Sequence, residues 1–257
     1  MQRRAEKQEG LTWRCTKKNC KKRISIKSET YFEKGRLPLG KMWMIIVCLL
    51  KFPKMLGTYL AEILEVSENT LVDWGAFLRE TISNYYIINP QLLGSPHAVQ
   101  IDESLFGGKR KYHRGNHHRH VNSWVFGIVE ENTNRCVLWR VKHRNKDTLT
   151  QIISEHVRPN STIKSDEWGA YNSLGKDGYQ HLTVNHSLSF ISVGGVHTQL
   201  IESVWSQVKS GLKVKRGTSK NHLAGYLDLY SFLCDAKYPK KTSIALFIEL
   251  IQAGNCY

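Results

Sequence analysis

Residues 99–120 read "VQIDESLFGGKRKYHRGNHHRH". The stretch opens as an apolar, strand-like run that ends on Asp102 and Glu103. A loop follows that holds Lys109, Arg110, Lys111, Arg114, Arg119 and four histidines, with no acid among them. So much cation needs more anion than two carboxylates supply. The reading is therefore a strand end beside a basic loop that meets an anion from outside the chain.

Moving outward, the same β-like pattern returns in "SWVFGIVEE", "CVLWRVK" and "STIKSDEW". Between the last two lies "DTLTQIISEHV", an amphipathic helix that Pro159 ends. Three strands, a helix and a fourth strand predict a mixed α/β fold with helices against a mixed sheet. "HTQLIESVWSQVKSGLK" (197–213) is a strong helix with one apolar stripe of Ile201, Val204, Val208 and Leu212. Residues 219–252 read as further helix.

Upstream, residues 41–88 look helical. "KMWMIIVCLLKF" stops at Pro53 and "GTYLAEILEV" follows. Ser67 reads as the N-cap of "ENTLVDWGAFLRETI", with Val66 and Leu71 placed as a hydrophobic staple. Leu71, Trp74, Leu78 and Ile82 recur at helical spacing and should face a core. Two helices on a short turn in a basic region resemble a helix-turn-helix; a helical hairpin that merely packs fits the pattern equally. Residues 89–97 form the linker. Residues 1–40 are basic with short strands, and Cys15 and Cys20 sit in a C-x4-C knuckle. That knuckle offers two thiolates to Zn²⁺, which is half of a tetrahedral set; two reduced thiols on a surface hairpin are the plain alternative. The expected division is 1–40, a basic segment with the cysteine knuckle; 41–96, a helical region and linker; and 97–257, a strand-and-helix domain with C-terminal helices.

The chain has 257 residues, with 37 Lys+Arg against 22 Asp+Glu, a net charge of +15. Hydrophobic residues make up 41%, which describes a globular protein rather than a disordered tail. The basic excess points to a polyanion, and residues 1–60 carry 15 Lys+Arg against 4 Glu. An anionic membrane surface would answer the same charge. The longest apolar run, "MWMIIVCLL", falls far short of the ~20 residues that span a bilayer. Six cysteines without framework spacing, behind an opening with no apolar signal segment, fit a reducing, intracellular setting.

Three acids are placed for chemistry: Asp102 near the end of the first strand, Asp166 ending "TIKSD", and Glu202 in the 197–213 helix, off its apolar stripe. Converging carboxylates repel unless a cation compensates them. Mg²⁺ is typically held by one or two carboxylates with phosphate oxygens and water, and two such ions serve in-line phosphoryl displacement. The missing anion is then phosphate, with the basic loop on the DNA backbone. Lys209, seven residues after Glu202, shares its helix face ~10 Å away. Each residue alone also has an ordinary reading: a strand-end Asp as a turn former, a helical Glu as a solvated charge, a basic run as an exposed face. Glu103 and Glu167 should turn to the opposite faces of their strands and are left out of the site.

Taken in order, "VQIDESLFGGKRKYHRG", "WVFGIVE", "IKSDEWGAY", "VNHSLSF" and "GVHTQLIESVWSQVKSGLK" closely resemble the ISXO2-like transposase domain of the IS1595 and Merlin transposons, over about residues 97–215. The resemblance implies an RNase H-like fold and a DDE-type triad of Asp102, Asp166 and Glu202, with 35 residues between the last two. It implies two Mg²⁺ or Mn²⁺ ions and matches Lys209 to the basic residue after the third acid. It also implies a zinc ribbon over 11–40 and a helical DNA-binding segment over 41–85. The family's second cysteine pair is missing, which leaves a shortened N-terminus or a lost zinc, and Gln199 stands where many relatives have Asn.

The function implied is a transposase that cuts double-stranded DNA at terminal inverted repeats and joins the 3′ ends to a target, as a homodimer or larger assembly. Its expected place is the nucleus if the host is eukaryotic, the nucleoid if bacterial. The alternatives are a decayed relative that binds DNA without cutting it, and a structure-selective nuclease of the same fold.

Overall fold

The computed structural model describes residues 2–6, 10–107, 123–184, 198–215, 217–238 and 240–253. A small antiparallel sheet comes first, from β1 (Gln2–Glu6), β2 (Gly10–Arg14) and β3 (Arg23–Ser25). Three helices follow: α1 (Leu39–Lys51), α2 (Gly57–Leu64) and α3 (Glu68–Ile88). Glu65 ends α2 in the left-handed region at φ 50°, and the Ser67 side chain accepts a hydrogen bond from the Thr70 N–H at 3.1 Å to start α3. Val66 and Leu71 meet in one apolar cluster, as a staple does.

The large sheet holds β4 (Val99–Phe106), β5 (Ser123–Glu130), β6 (Cys136–Val141), β7 (Thr162–Asp166) and β8 (Gln180–Val184). Its order is β6-β5-β4-β7-β8. β4, β5 and β6 run antiparallel, while β7 is parallel to β4 and β8 parallel to β7. The crossover from β6 to β7 is α4 (Lys146–His156). This is the mixed sheet with flanking helices of an RNase H-like fold. β8 has no counterpart in the sequence reading, because "QHLTV" is polar and half-exposed at a sheet edge.

Alternation along β4 sorts the side chains between two cores. Val99 and Ile101 join Phe126, Ile128 and the α4 residues Leu149 and Ile153. The opposite face carries Gln100, Asp102, Ser104 and Phe106. There Phe106, Val125 and Val129 pack under α5 (Gln199–Val214) and α6 (Lys220–Asp235). The α5 stripe seats Ile201, Val204 and Val208 on the sheet, each buried, with Trp205 beside them.

α1 and α3 do not stand apart from this body. Met42, Ile46, Leu78 and Ile82 share a core with Leu229 and Phe232 of α6 and with Phe247 of α7 (Ser243–Gln252). Asp235 adds polar ties, accepting from Tyr86 Oη at 2.7 Å, from Gln91 Nε2, and from Arg135 Nε at 3.0 Å. Among the described residues, no helix is long and apolar enough to cross a membrane.

Candidate active site

Parallel pairing sets the site. β4 and β7 pair as Val99 with Ile163 and Gln100 with Lys164. Continued two residues past the paired stretch, that register aligns Asp102 with Asp166 on neighbouring strands and on the same face. Asp102 is the fourth of eight β4 residues, so it lies mid-strand rather than near a strand end. The strand continues because Ser104 and Phe106 still have Val125 and Ser123 to pair with. Asp166 does close β7, and its Oδ1 accepts from the Trp168 N–H at 3.1 Å. Glu202 stands in the first turn of α5, over the same sheet face.

Burial and neighbouring charge act together on Asp102. Burial raises the pKa of Asp102, and the charges of Asp166 and Glu202 raise it further. The Trp205 indole and the backbone at Glu103 oppose this by hydrogen bonding to the charged form. Trp205 Nε1 donates to Asp102 Oδ2 at 2.9 Å, which fixes the rotation of the carboxylate. Lys209 reaches back from α5 to donate to Ser104 Oγ at 2.7 Å, with its ammonium 5.3 Å from the Phe106 ring. Partial burial lowers its pKa, and Asp102 pulls it back up. Its cation therefore sits on the acidic face.

Two residues missed in the sequence hold this geometry. Gln100, fully buried, accepts at Oε1 from the backbone N–H groups of Leu200 (3.1 Å) and Ile201 (3.2 Å). It thus caps α5 from the sheet, where Thr198 gives no side-chain cap. Its Nε2 donates to Glu131, which is paired with Lys164 at 2.8 Å. A Gln between Val99 and Ile101 was the available signal, since a buried amide must find partners. The second is Gly127, paired with Asp102 across β4 and β5. A Cβ there would lie 2.4 Å from Trp205 Cη2 and 2.9 Å from Ile201 Cδ1. A glycine inside a strand marks such a close approach.

Glu103 faces the other way, as alternation requires, and accepts from the Tyr171 hydroxyl. Burial, then the charges of Asp102 and Asp166, push its pKa up to about 8, against the pull of Arg144. Glu167 is exposed beyond β7. Lys109, Arg110, Lys111, Arg114 and Arg119 lie outside the described residues.

The donor set fits a hard divalent cation, because carboxylate oxygens are what Mg²⁺ and Mn²⁺ prefer. Among the described residues, Asp102, Asp166 and Glu202 included, there is no group of three His, Cys, Asp or Glu side chains that could hold a metal ion. Mg²⁺ sites seldom need one, since phosphate and water complete the shell. Cys15 and Cys20 do meet in their turn. The backbone at Lys17 and the Cys20 thiol lower the pKa of Cys15. Two thiols remain half of a zinc set, and the described residues supply no third ligand.

Known proteins are similar to this chain in sequence and in structure. The family profile "ISXO2-like transposase domain" matches residues 91–235. A transposase-like protein of Haemophilus influenzae is 27% identical over 110 residues, which is 42% of this chain and 85% of that one. Among solved structures, the HTLV-2 integrase catalytic core domain in complex with magnesium is similar at a TM-score of 0.39 and 14% identity, covering 61% of this chain and 98% of that one. The catalytic core domain of BIV integrase gives 0.38 and 14%, over 60% and 94%. The profile spans more than half of the residues, from the linker before β4 to the end of α6, and the chain belongs to the ISXO2-like transposase family.

Proposed function

We propose that this protein cleaves DNA at the terminal inverted repeats of its element and joins the freed 3′ ends to target DNA. The observation that carries the reading is the placement of Asp102 and Asp166 on one face of a transposase-family sheet, under the helix whose first turn bears Glu202. Asp102, Asp166 and Glu202 would hold two Mg²⁺ or Mn²⁺ ions, which when bound supply Lewis acidity at the attacking and leaving oxygens. Trp205 keeps Asp102 turned toward the shared face. Lys209 offers a cation to the non-bridging phosphate oxygens, where charge gathers as the displacement proceeds.

In cleavage a water oxygen bonds to phosphorus, the bond to the 3′ oxygen breaks, and that oxygen leaves as the 3′ hydroxyl. In joining, the 3′ hydroxyl attacks a target phosphate and displaces a new 3′ oxygen. The loop cations Lys109, Arg110, Lys111, Arg114 and Arg119 serve the DNA backbone, and two ends held together call for at least a dimer. The test is cutting of repeat-end DNA with Mn²⁺. Asp166→Asn should lose about a thousandfold in rate, since several kcal/mol of transition-state stabilisation go with a metal ligand. Undiminished cutting by the variant would refute the assignment.

A further inference from the structure

Away from the acids, α1, α5 and α6 enclose a cavity of about 440 Å³. Its walls are apolar: Leu50 from α1, Val208 and Leu212 from α5, Leu229, Tyr230 and Leu233 from α6. Its lining also includes five lysines, Lys51, Lys54, Lys215, Lys237 and Lys241, and no Asp or Glu among the described residues. Lys241 is paired with Glu249 at 2.7 Å. At one edge Tyr226 carries cations on its ring, Arg79 at 4.1 Å and Lys215 at 5.9 Å from the centroid. Burial and the nearby Arg79 charge both lower the pKa of Lys215. Like charges gathered around an apolar hollow call for a ligand that is both anionic and apolar.

Two classes of ligand have that character. A single-headed amphiphile brings one anionic group and leaves most of the lysine rim unanswered. An unpaired nucleotide brings a flat apolar base with a phosphate on either side, and so answers several lysines at once. The base must be unpaired, because a duplex hides its faces. Position favours the nucleotide as well. α5 bears Glu202 in its first turn and Leu212 on the cavity wall, ~15 Å further along at ~1.5 Å per residue. That is about four nucleotides of stacked strand.

We propose that this cavity holds one unpaired nucleotide of a DNA strand led past the catalytic acids, its base among the leucines and its flanking phosphates on the lysines. The proposal rests on the DNA-cutting function for its substrate class, but binding at the cavity needs no cutting.

Gly211 gives a clean test. It lines the cavity on α5, and a Cβ built there meets nothing within 4 Å. Gly211→Trp therefore fills the hollow without removing charge. The probes are fluorescein-labelled oligothymidylate, the same strand made of abasic residues, and a blunt duplex, read by fluorescence anisotropy in EDTA. Wild type should bind oligothymidylate about tenfold more tightly than the abasic strand, as one seated base provides. Gly211→Trp should lose that preference and keep its affinity for the duplex. Lys51→Gln with Lys54→Gln, both at exposed positions, should flatten the slope of log affinity against log salt by about 1.4 for single strands.

The proposal is overturned if wild type does not distinguish the two strands, or if Gly211→Trp keeps the preference. Displacement of an apolar dye from the cavity by dodecyl phosphate, with no displacement by oligothymidylate, would also overturn it and assign the cavity to an amphiphile. Loss of the cavity proposal with retained cutting would leave the assigned function standing; loss of cutting specificity to Asp166 with retained strand preference would do the reverse.

Discussion

Glu103 and Asp102 are neighbours in sequence with opposite surroundings, and the difference is testable by pH. Glu103 packs beside Tyr171 with its pKa raised to about 8 from an ordinary 4.5. Between those two values the folded chain holds a proton that the unfolded chain has lost. Stability must therefore fall as pH rises through that window. Glu103→Gln keeps an oxygen for the Tyr171 hydroxyl and removes the charge. In EDTA, the variant should match wild type near pH 4.5 and melt a few degrees higher near pH 9. Parallel melting curves at both ends would show that Glu103 ionises normally. Alternation alone assigned Glu103 to the far face, so that part was legible in "VQIDESLF". The raised pKa was not, since Tyr171 arrives from 68 residues away.

At the scale of elements, the sequence reveals most strands and helices, β8 excepted, but not how they register. β4, β5, β6, α4 and β7 follow from periodicity, as does the α5 stripe through Ile201, Val204 and Val208. The level placement of Asp102 beside Asp166 depends on Gln100 pairing with Lys164, and no local pattern specifies that pairing. α5 is seated by two contacts equally remote in sequence: Gln100 under its N-terminus and Trp205 on Asp102 over Gly127. Trp205→Phe would keep most of the packing and lose the indole donor. The freed carboxylate should need about 10- to 100-fold more Mn²⁺ for half-maximal cutting, as with other groups that orient metal ligands. Because the helix stays seated by Ile201 and Val204, the melting temperature should move little by comparison. If the metal requirement is unchanged, Trp205 is only a core residue.

Across the whole molecule, a boundary drawn at the linker before β4 separates sequence patterns but not cores. Met42 and Ile46 of α1 and Leu78 and Ile82 of α3 are buried against Leu229 and Phe232 of α6. Pro, Gly and polar residues in 89–97 read as punctuation, while the contact that spans them joins residues about 150 positions apart, as in Ser83 with Asp228 at 145. Such packing couples α1 and α3 to the helix layer over the sheet. Phe232 is the test, being fully buried where the two regions meet. Phe232→Ala should cost about 3–5 kcal/mol, the usual toll of deleting a buried ring. If the regions unfold together, hydrogen exchange should quicken by a similar factor in α3 peptides and in β5 peptides, because both open through one global transition. An independent N-terminal unit would instead leave β5 and α3 with unequal losses. The outcome decides whether the N-terminal helices and the acidic face move as one body, and so whether a force on α3 is felt at Asp102.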